Sequence, residues 1–300
     1  MNNFTFRVRL EVAPRTGIAA HEPRLSLLKI ATGQEIVLEA SNDQQISSSN
    51  HLVLRAGGWS AEEEAFAAGQ RYSDALALAL VRNRIGAEFA PRQEGSERIY
   101  PSEWSIIIHP SNVEMLELTN SASCKRLASA DAFLESFRTL ADLPIELTIR
   151  ERIAIELFST SFFEQASDTR LLILVMAIEA MLDPLPRSDE AISLVDSFIQ
   201  LTYASRVSKS EGDSMVGTLC WLKKESISGA GRRLSYERLG GRKYMDMSAS
   251  KFFTHCYDLR SRLVHGNEKM PNQVEAGSAA AHLELFVSDL ITSQYLPITD

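Results

Sequence analysis

The chain is poor in the residues that announce metal or disulfide chemistry. Among 300 residues there are three cysteines, Cys124, Cys220 and Cys256, far apart and without a C-x-x-C pair. Neither a zinc site nor a disulfide framework is indicated, and a reducing cytosol is the natural setting. His21-Glu22 lacks the second histidine of a zinc-protease motif, and no Walker phosphate loop is present. Gly212-Asp213-Ser214-Met215-Val216-Gly217 has the wrong spacing for a nucleophile elbow. Gly229-Ala230-Gly231 follows an expected helix rather than a strand, which argues against a dinucleotide turn. The expectation is therefore no metal and no organic cofactor. Long apolar runs are missing too. The longest, Leu171 to Ile178, stops at Glu179 and is too short to cross a bilayer. The first residues, MNNFTFRVRLEV, alternate apolar and polar instead of forming the apolar core of a signal peptide. No membrane partner is expected.

What is present describes a globular protein with a substantial core: 45% of residues are hydrophobic and 23% charged. The net charge of −8 argues against a general nucleic-acid coat protein. Charge is unevenly spread, however. From Arg232 to Lys269 there are nine Lys or Arg and four Asp or Glu, a local balance of +5. Such a zone attracts a phosphate backbone even on an acidic protein, although a solvated helix face carries the same signature.

The fold class expected is α+β, with an α+β domain at 1–118 and an all-α bundle at 124–294. Phe4, Phe6, Val8 and Leu10 alternate as in a half-buried strand. Leu25 to Ile30 and Glu35 to Ala40 read as two strands around a Thr32-Gly33 turn, and His51 to Arg55 as a fourth ended by Gly57-Gly58. Ser60 and Glu63 have capping-box spacing and would open a long helix over 61–84. A loop and a strand from Trp104 to His109 complete the layer. A ferredoxin-like arrangement is one solution, with the strand order left open. After Asn120-Ser121-Ala122-Ser123 the pattern is helical, with helices expected at 128–140, 146–163, 169–182, 189–204, 214–228, 248–265 and 273–293. Ile149, Ile153 and Leu157 would be the buried stripe of the second. The 169–182 helix is apolar on nearly every face and should be central, with Pro184 and Pro186 beyond its end. Ser235 to Met247 reads as a loop.

The most informative segment is Cys256-Tyr257-Asp258-Leu259-Arg260-Ser261-Arg262-Leu263-Val264-His265-Gly266. Two arginines and a histidine close an apolar-striped helix that Gly266 is placed to stop. Arginine grips phosphate in a fixed fork, and histidine trades protons near neutral pH. Arg260 and His265 are five residues apart, about 140° around an ideal helix, so they do not share a face. Glu179, alone in its apolar helix, needs a cation or hydrogen bonds. Either Arg260 or Arg262 could supply the cation, and Asp258 is another partner open to Arg262.

Arg260 through His265 matches the R-x4-6-H motif of the HEPN superfamily, and the longer string resembles the Apea-type HEPN branch. Leu174 to Leu182 with Glu179, and Glu225-Ser226-Ile227, are similar to other helices of that branch, so the resemblance spans about 125–293. It implies a helical bundle that often forms a homodimer, and RNA or a nucleotide as partner. In ribonuclease members the Arg and His of two subunits form one cleft. That cleft cuts RNA without a metal, through attack of the ribose 2′-hydroxyl on the adjacent phosphate. On that pattern Arg260 would stabilise charge developing on phosphorus, His265 would move the proton, and Arg262 would be an auxiliary phosphate contact. Ser261 stands where nuclease members frequently carry Asn, Asp or His, and with Glu179 it would support the site. Other members of the superfamily are noncatalytic and bind nucleotides or proteins. The function expected is thus a metal-independent endoribonuclease, of a defence or toxin-effector kind, or a noncatalytic HEPN module.

Overall fold

A computed structural model describes residues 4–30, 33–41, 44–89, 106–110, 125–266 and 270–298. The protein is α+β: an antiparallel sheet with a long helix, followed by a helical region. The sheet contains β1 (Phe4–Val12), β3 (Arg24–Lys29), β4 (Glu35–Ala40), β5 (His51–Trp59), β6 (Ala87–Phe89) and β7 (Ile107–Pro110). Its order is β3-β4-β5-β1-β6, with β7 also on β1, and every pair is antiparallel. Consecutive strands β3, β4 and β5 are spatial neighbours, unlike the split βαβ of a ferredoxin-like layer. Phe6, Val8 and Leu10 are buried along β1, as their alternation requires.

Two local expectations fail in this layer. Gly57-Gly58 does not stop β5, which continues to Trp59. Gly58 takes a positive φ of 98°, and the β1–β5 register shifts between Phe4 and Thr5, so the glycines absorb an irregularity within the strand. The helix α1 (Glu62–Arg82) forms, but not by the capping box. Ala61 is its N-cap without a side-chain cap, and Ser60 donates instead to Glu64. Trp59 packs on Phe6 with ring centroids 5.3 Å apart, while Trp104 lies outside the described residues.

Two short strands, β2 (Thr16–Ile18) and β8 (Arg126–Ala128), pair in parallel and tie the layer to the helical region. Then follow α2 (Ala130–Ala141), α3 (Ile149–Thr160), α4 (Ser167–Ala180), α5 (Asp189–Ala204), α6 (Lys209–Trp221), α7 (Ile227–Leu239), α8 (Ala249–His265) and α9 (Gln273–Thr292). Helix α4 packs on α3, α7, α8 and α9, the central place its all-round apolarity demands. One hydrophobic core runs from Phe6 and Leu76 through Phe137 and Leu174 to Phe286.

The stripe expected on α3 is wrong. Ile149 and Ile153 are exposed, whereas Ala154, Ile155 and Phe158 are buried. The helix starts later than expected, at a Thr148–Glu151 capping box, and Glu151 turns inward to meet Gln294 and Tyr295. The single helix expected over 214–228 is two. Residues 222–226 break it, and Ser226 caps α7 with its hydroxyl accepting from the Gly229 amide. Helix α7 therefore occupies the first part of the expected 235–247 loop. The remainder forms the β9 (Lys243–Tyr244) and β10 (Met247–Ser248) hairpin, with Met245 and Asp246 at positive φ. Helices α5 and α6 pack chiefly on each other, and leave Leu194, Phe198, Leu201, Met215 and Trp221 exposed. No described helix is long and apolar enough to cross a membrane.

Candidate functional site

Helix α8 carries the motif. Phe252, Phe253, Cys256 and Leu259 are its buried stripe, and burial pushes the Cys256 thiol far above its ordinary value, which leaves it inert near neutral pH. The helix runs unbroken to His265. Gly266 then adopts the left-handed conformation at φ 62°, and its amide donates to the Arg262 carbonyl at 3.1 Å. The terminator anticipated from sequence is therefore in place.

Arg260 points toward α4. Its Nη2 lies 3.5 Å from Glu179 Oε2, a long single contact, and its guanidinium sits 5.9 Å from the Tyr257 ring centre. Both side chains keep about a quarter of their surface in water, 24% for Arg260 and 23% for Glu179. Burial raises the Glu179 carboxyl above the ordinary glutamate range, and Arg260 only partly offsets it. Of the alternatives open in the sequence, Arg260 is the cation that meets Glu179. Arg262 goes elsewhere: its Nη2 donates to Glu275 Oε1 at 2.8 Å, which holds that carboxyl below its ordinary range.

Glu275 was not anticipated. It stands in the first turn of α9, where Asn272 accepts its backbone N–H at 2.8 Å. The spacing Asn272-x-x-Glu275 was the available signal, since it places an acidic side chain at a helix start. Tyr257 is partly exposed beneath Arg260.

Ser261 is partly exposed, and His265 is exposed at the last position of the helix. Because α8 is regular to its end, Arg260 and His265 are separated by about 140° of rotation and about 7.5 Å of rise. Within one chain they face different directions. Arg260, Glu179 and Tyr257 form one group, Arg262 and Glu275 a second, and His265 stands apart from both.

His255 is partly exposed, and the exposed His282 contacts its own helix at the Ser278 carbonyl. Among the described residues, no cluster of three or more His, Cys, Asp or Glu could hold a metal ion. Cys220 and Cys256 are free thiols. No family model, curated protein or solved structure matches the chain, so the resemblance to HEPN proteins stands on the residues of α8 and their setting.

Proposed function

We propose that the chain is a metal-independent endoribonuclease of HEPN type, a cytosolic effector of the defence or toxin kind, acting as a homodimer through its helical region. One observation carries the reading. Arg260 is held by a single 3.5 Å contact to a partly buried carboxylate, on the same helix that ends in an exposed His265. An arginine held this loosely is available to an incoming phosphate, which offers charge-assisted fork contacts that Glu179 does not. Arg260 stabilises negative charge developing on phosphorus, and His265 delivers or removes the proton. Ser261 and Arg262 flank Arg260 in the motif, and Glu179 keeps its guanidinium in place until substrate arrives. The chemistry uses the ribose 2′-hydroxyl, so RNA is cut and DNA spared.

The homodimer finds support in the exposed side chains of α5. Leu194, Phe198 and Leu201 project from one strip of that helix. Glu190 precedes Phe198 by eight residues and Arg206 follows it by eight. Glu190 lies in the first turn of α5 and Arg206 just past its end, so an antiparallel second copy centred on Phe198 brings the acidic start of each helix toward the arginine that follows the other.

The test is incubation of the full chain with RNA in EDTA, followed by analysis of the ends. Fragments with 2′,3′-cyclic phosphate, absent with a DNA of the same sequence, support the reading. RNA left intact by the dimeric protein, with candidate activators also tried, overturns it. The same Arg260–Glu179 pair favours a second reading, a noncatalytic module that binds RNA, nucleotide or a partner protein. That reading requires Arg260→Ala to weaken binding of an RNA that wild type never cuts.

A further inference from the structure

Where the sheet layer meets the helical region, three guanidinium groups gather around one carboxylate. Arg84 follows the end of α1, Arg126 opens β8, Arg170 lies near the start of α4, and Glu284 comes from α9. Glu284 is 6% exposed. Arg170 meets it at 2.5 Å and Arg126 at 3.7 Å. Three cations share this one carboxylate, and Asp289, the other acid that Arg84 acts on, is already paired with Arg82 and Arg242, so positive charge is in surplus at this junction.

Arg84 is the unusual member. It sits at φ 53° just past α1, where its amide donates to the Val81 carbonyl and the Ile85 amide to the Leu80 carbonyl. That closure is the place where glycine is usual, because a side chain there is strained. Among the described residues its guanidinium makes no hydrogen bond or ion pair. A strained backbone thus holds a cation that acts on Glu284 and Asp289 only through space, without a hydrogen bond to either. Arg126 crowds it further by donating to the Arg84 carbonyl. Burial, together with the charges of Arg84 and Arg170, lowers the Arg126 guanidinium's affinity for its proton, against the pull of Glu284.

The other two arginines are presented from one aromatic floor. The guanidinium of Arg170 lies 5.1 Å from the Phe162 ring centre and that of Arg126 6.0 Å. The Arg170 Nε is buried without an acceptor, and a buried donor of that kind calls for a partner. Arg126 nevertheless keeps 47% of its side chain exposed, so the cluster is open to solvent.

We propose that Arg84, Arg126 and Arg170 form a binding site for a phosphate group, with Glu284 fixing Arg170 and Phe162 supporting two of the three guanidiniums. A phosphate dianion would balance the surplus charge and accept from the donors the protein leaves over. The phosphate belongs either to a small phosphate compound or to a nucleic-acid backbone. The site lies on elements other than α8 and does not depend on the ribonuclease reading.

The experiment titrates the full chain with inorganic phosphate, and separately with a short single-stranded oligoribonucleotide, by calorimetry at constant ionic strength. The key variant is Arg84→Gly. Glycine is at ease in the left-handed conformation, so this variant folds with a melting temperature equal to or above wild type in chloride. Its phosphate affinity is expected to fall about ten-fold, as is that of Arg126→Met, while His265→Ala binds as wild type does. An oligoribonucleotide that displaces phosphate and binds more tightly names a backbone as the source, and one that does not bind names a small compound. Equal phosphate binding by wild type and Arg84→Gly, or no binding beyond that of chloride, overturns the proposal.

Discussion

Among the arginines that reach from one helix to a carboxylate on another, Arg152 and Arg260 do so in opposite ways. Arg152 on α3 takes both oxygens of Asp74 on α1, at 2.8 and 3.2 Å, and the two side chains keep only 14% and 7% of their surface in water. Arg260 on α8 offers one N–H to Glu179 at 3.5 Å, with about a quarter of each side chain wet. The first is a fork closed on both sides, joining the sheet layer to the helical region. The second is an open hand. The residue type is the same, so the difference lies in burial and geometry. It separates an arginine that holds the fold from one that the fold merely holds.

Substitutions at the two pairs sharpen that contrast. The largest effect is expected from Arg152→Ala, which strands a buried Asp74. Stability should fall by about 3 kcal/mol, read as a lower denaturant midpoint at unchanged slope. A loss under about 1 kcal/mol would mean the fork is no more structural than the Arg260 pair. Arg260→Ala should cost no more than about 1 kcal/mol, because its pair is long and partly solvated. A loss as large as that of Arg152→Ala would break the comparison.

Glu179 gives a pH test. Burial raises its folded-state carboxyl above the ordinary value, so the folded protein binds the proton more tightly than the unfolded chain. Stability therefore declines as pH rises from the ordinary glutamate range through the folded value. Burial raises Glu284 and Asp289 in the same sense, so Glu179→Gln should make the decline shallower, not abolish it, in midpoints measured between about pH 4 and pH 7. An unchanged profile would show the decline belongs to another group.

The smallest effect is expected at Glu275, whose folded-state carboxyl is held down first by the hydrogen bond from Arg262. Its contribution is present above the ordinary glutamate range and is lost as pH falls through the folded value. Glu275→Gln should lower stability slightly at neutral pH and converge on wild type in acid, so that the acid side of the profile flattens. A loss that persists unchanged in acid would show that the pair does more than hold a charged carboxylate at the start of α9.

The two regions were also unequally legible in the sequence. Helices α8 and α9 could be read almost to the residue and α4 to within two at each end, because long apolar periodicity and strong stops such as Gly266 agree with the packing. The break at 222–226 could not, because the local pattern continues across it and the α6 surface is mostly exposed. On α3 the apolar stripe was misjudged, since Ile149 and Ile153 look like core but Glu151 is the side chain that turns inward, satisfied by Thr148, Gln294 and Tyr295. Those last two partners lie more than 140 residues away in the chain, beyond the reach of any local pattern. At the site, the motif residues and the need of Glu179 for a cation were visible. Which arginine would answer was not, because that choice depends on how α8 is rotated against α4. The strained Arg84 was invisible for a similar reason: nothing in an Arg-Ile-Gly string shows that the arginine, and not the glycine, takes the left-handed turn.

The most direct measurement of the central claim compares wild type, Arg260→Ala and His265→Ala in one RNA-cleavage assay in EDTA, with the melting temperature of each recorded. The account predicts cyclic-phosphate ends from wild type alone, and melting temperatures within about 5 °C of one another. Scission by all three, or variants that lose cleavage only by unfolding, would contradict it.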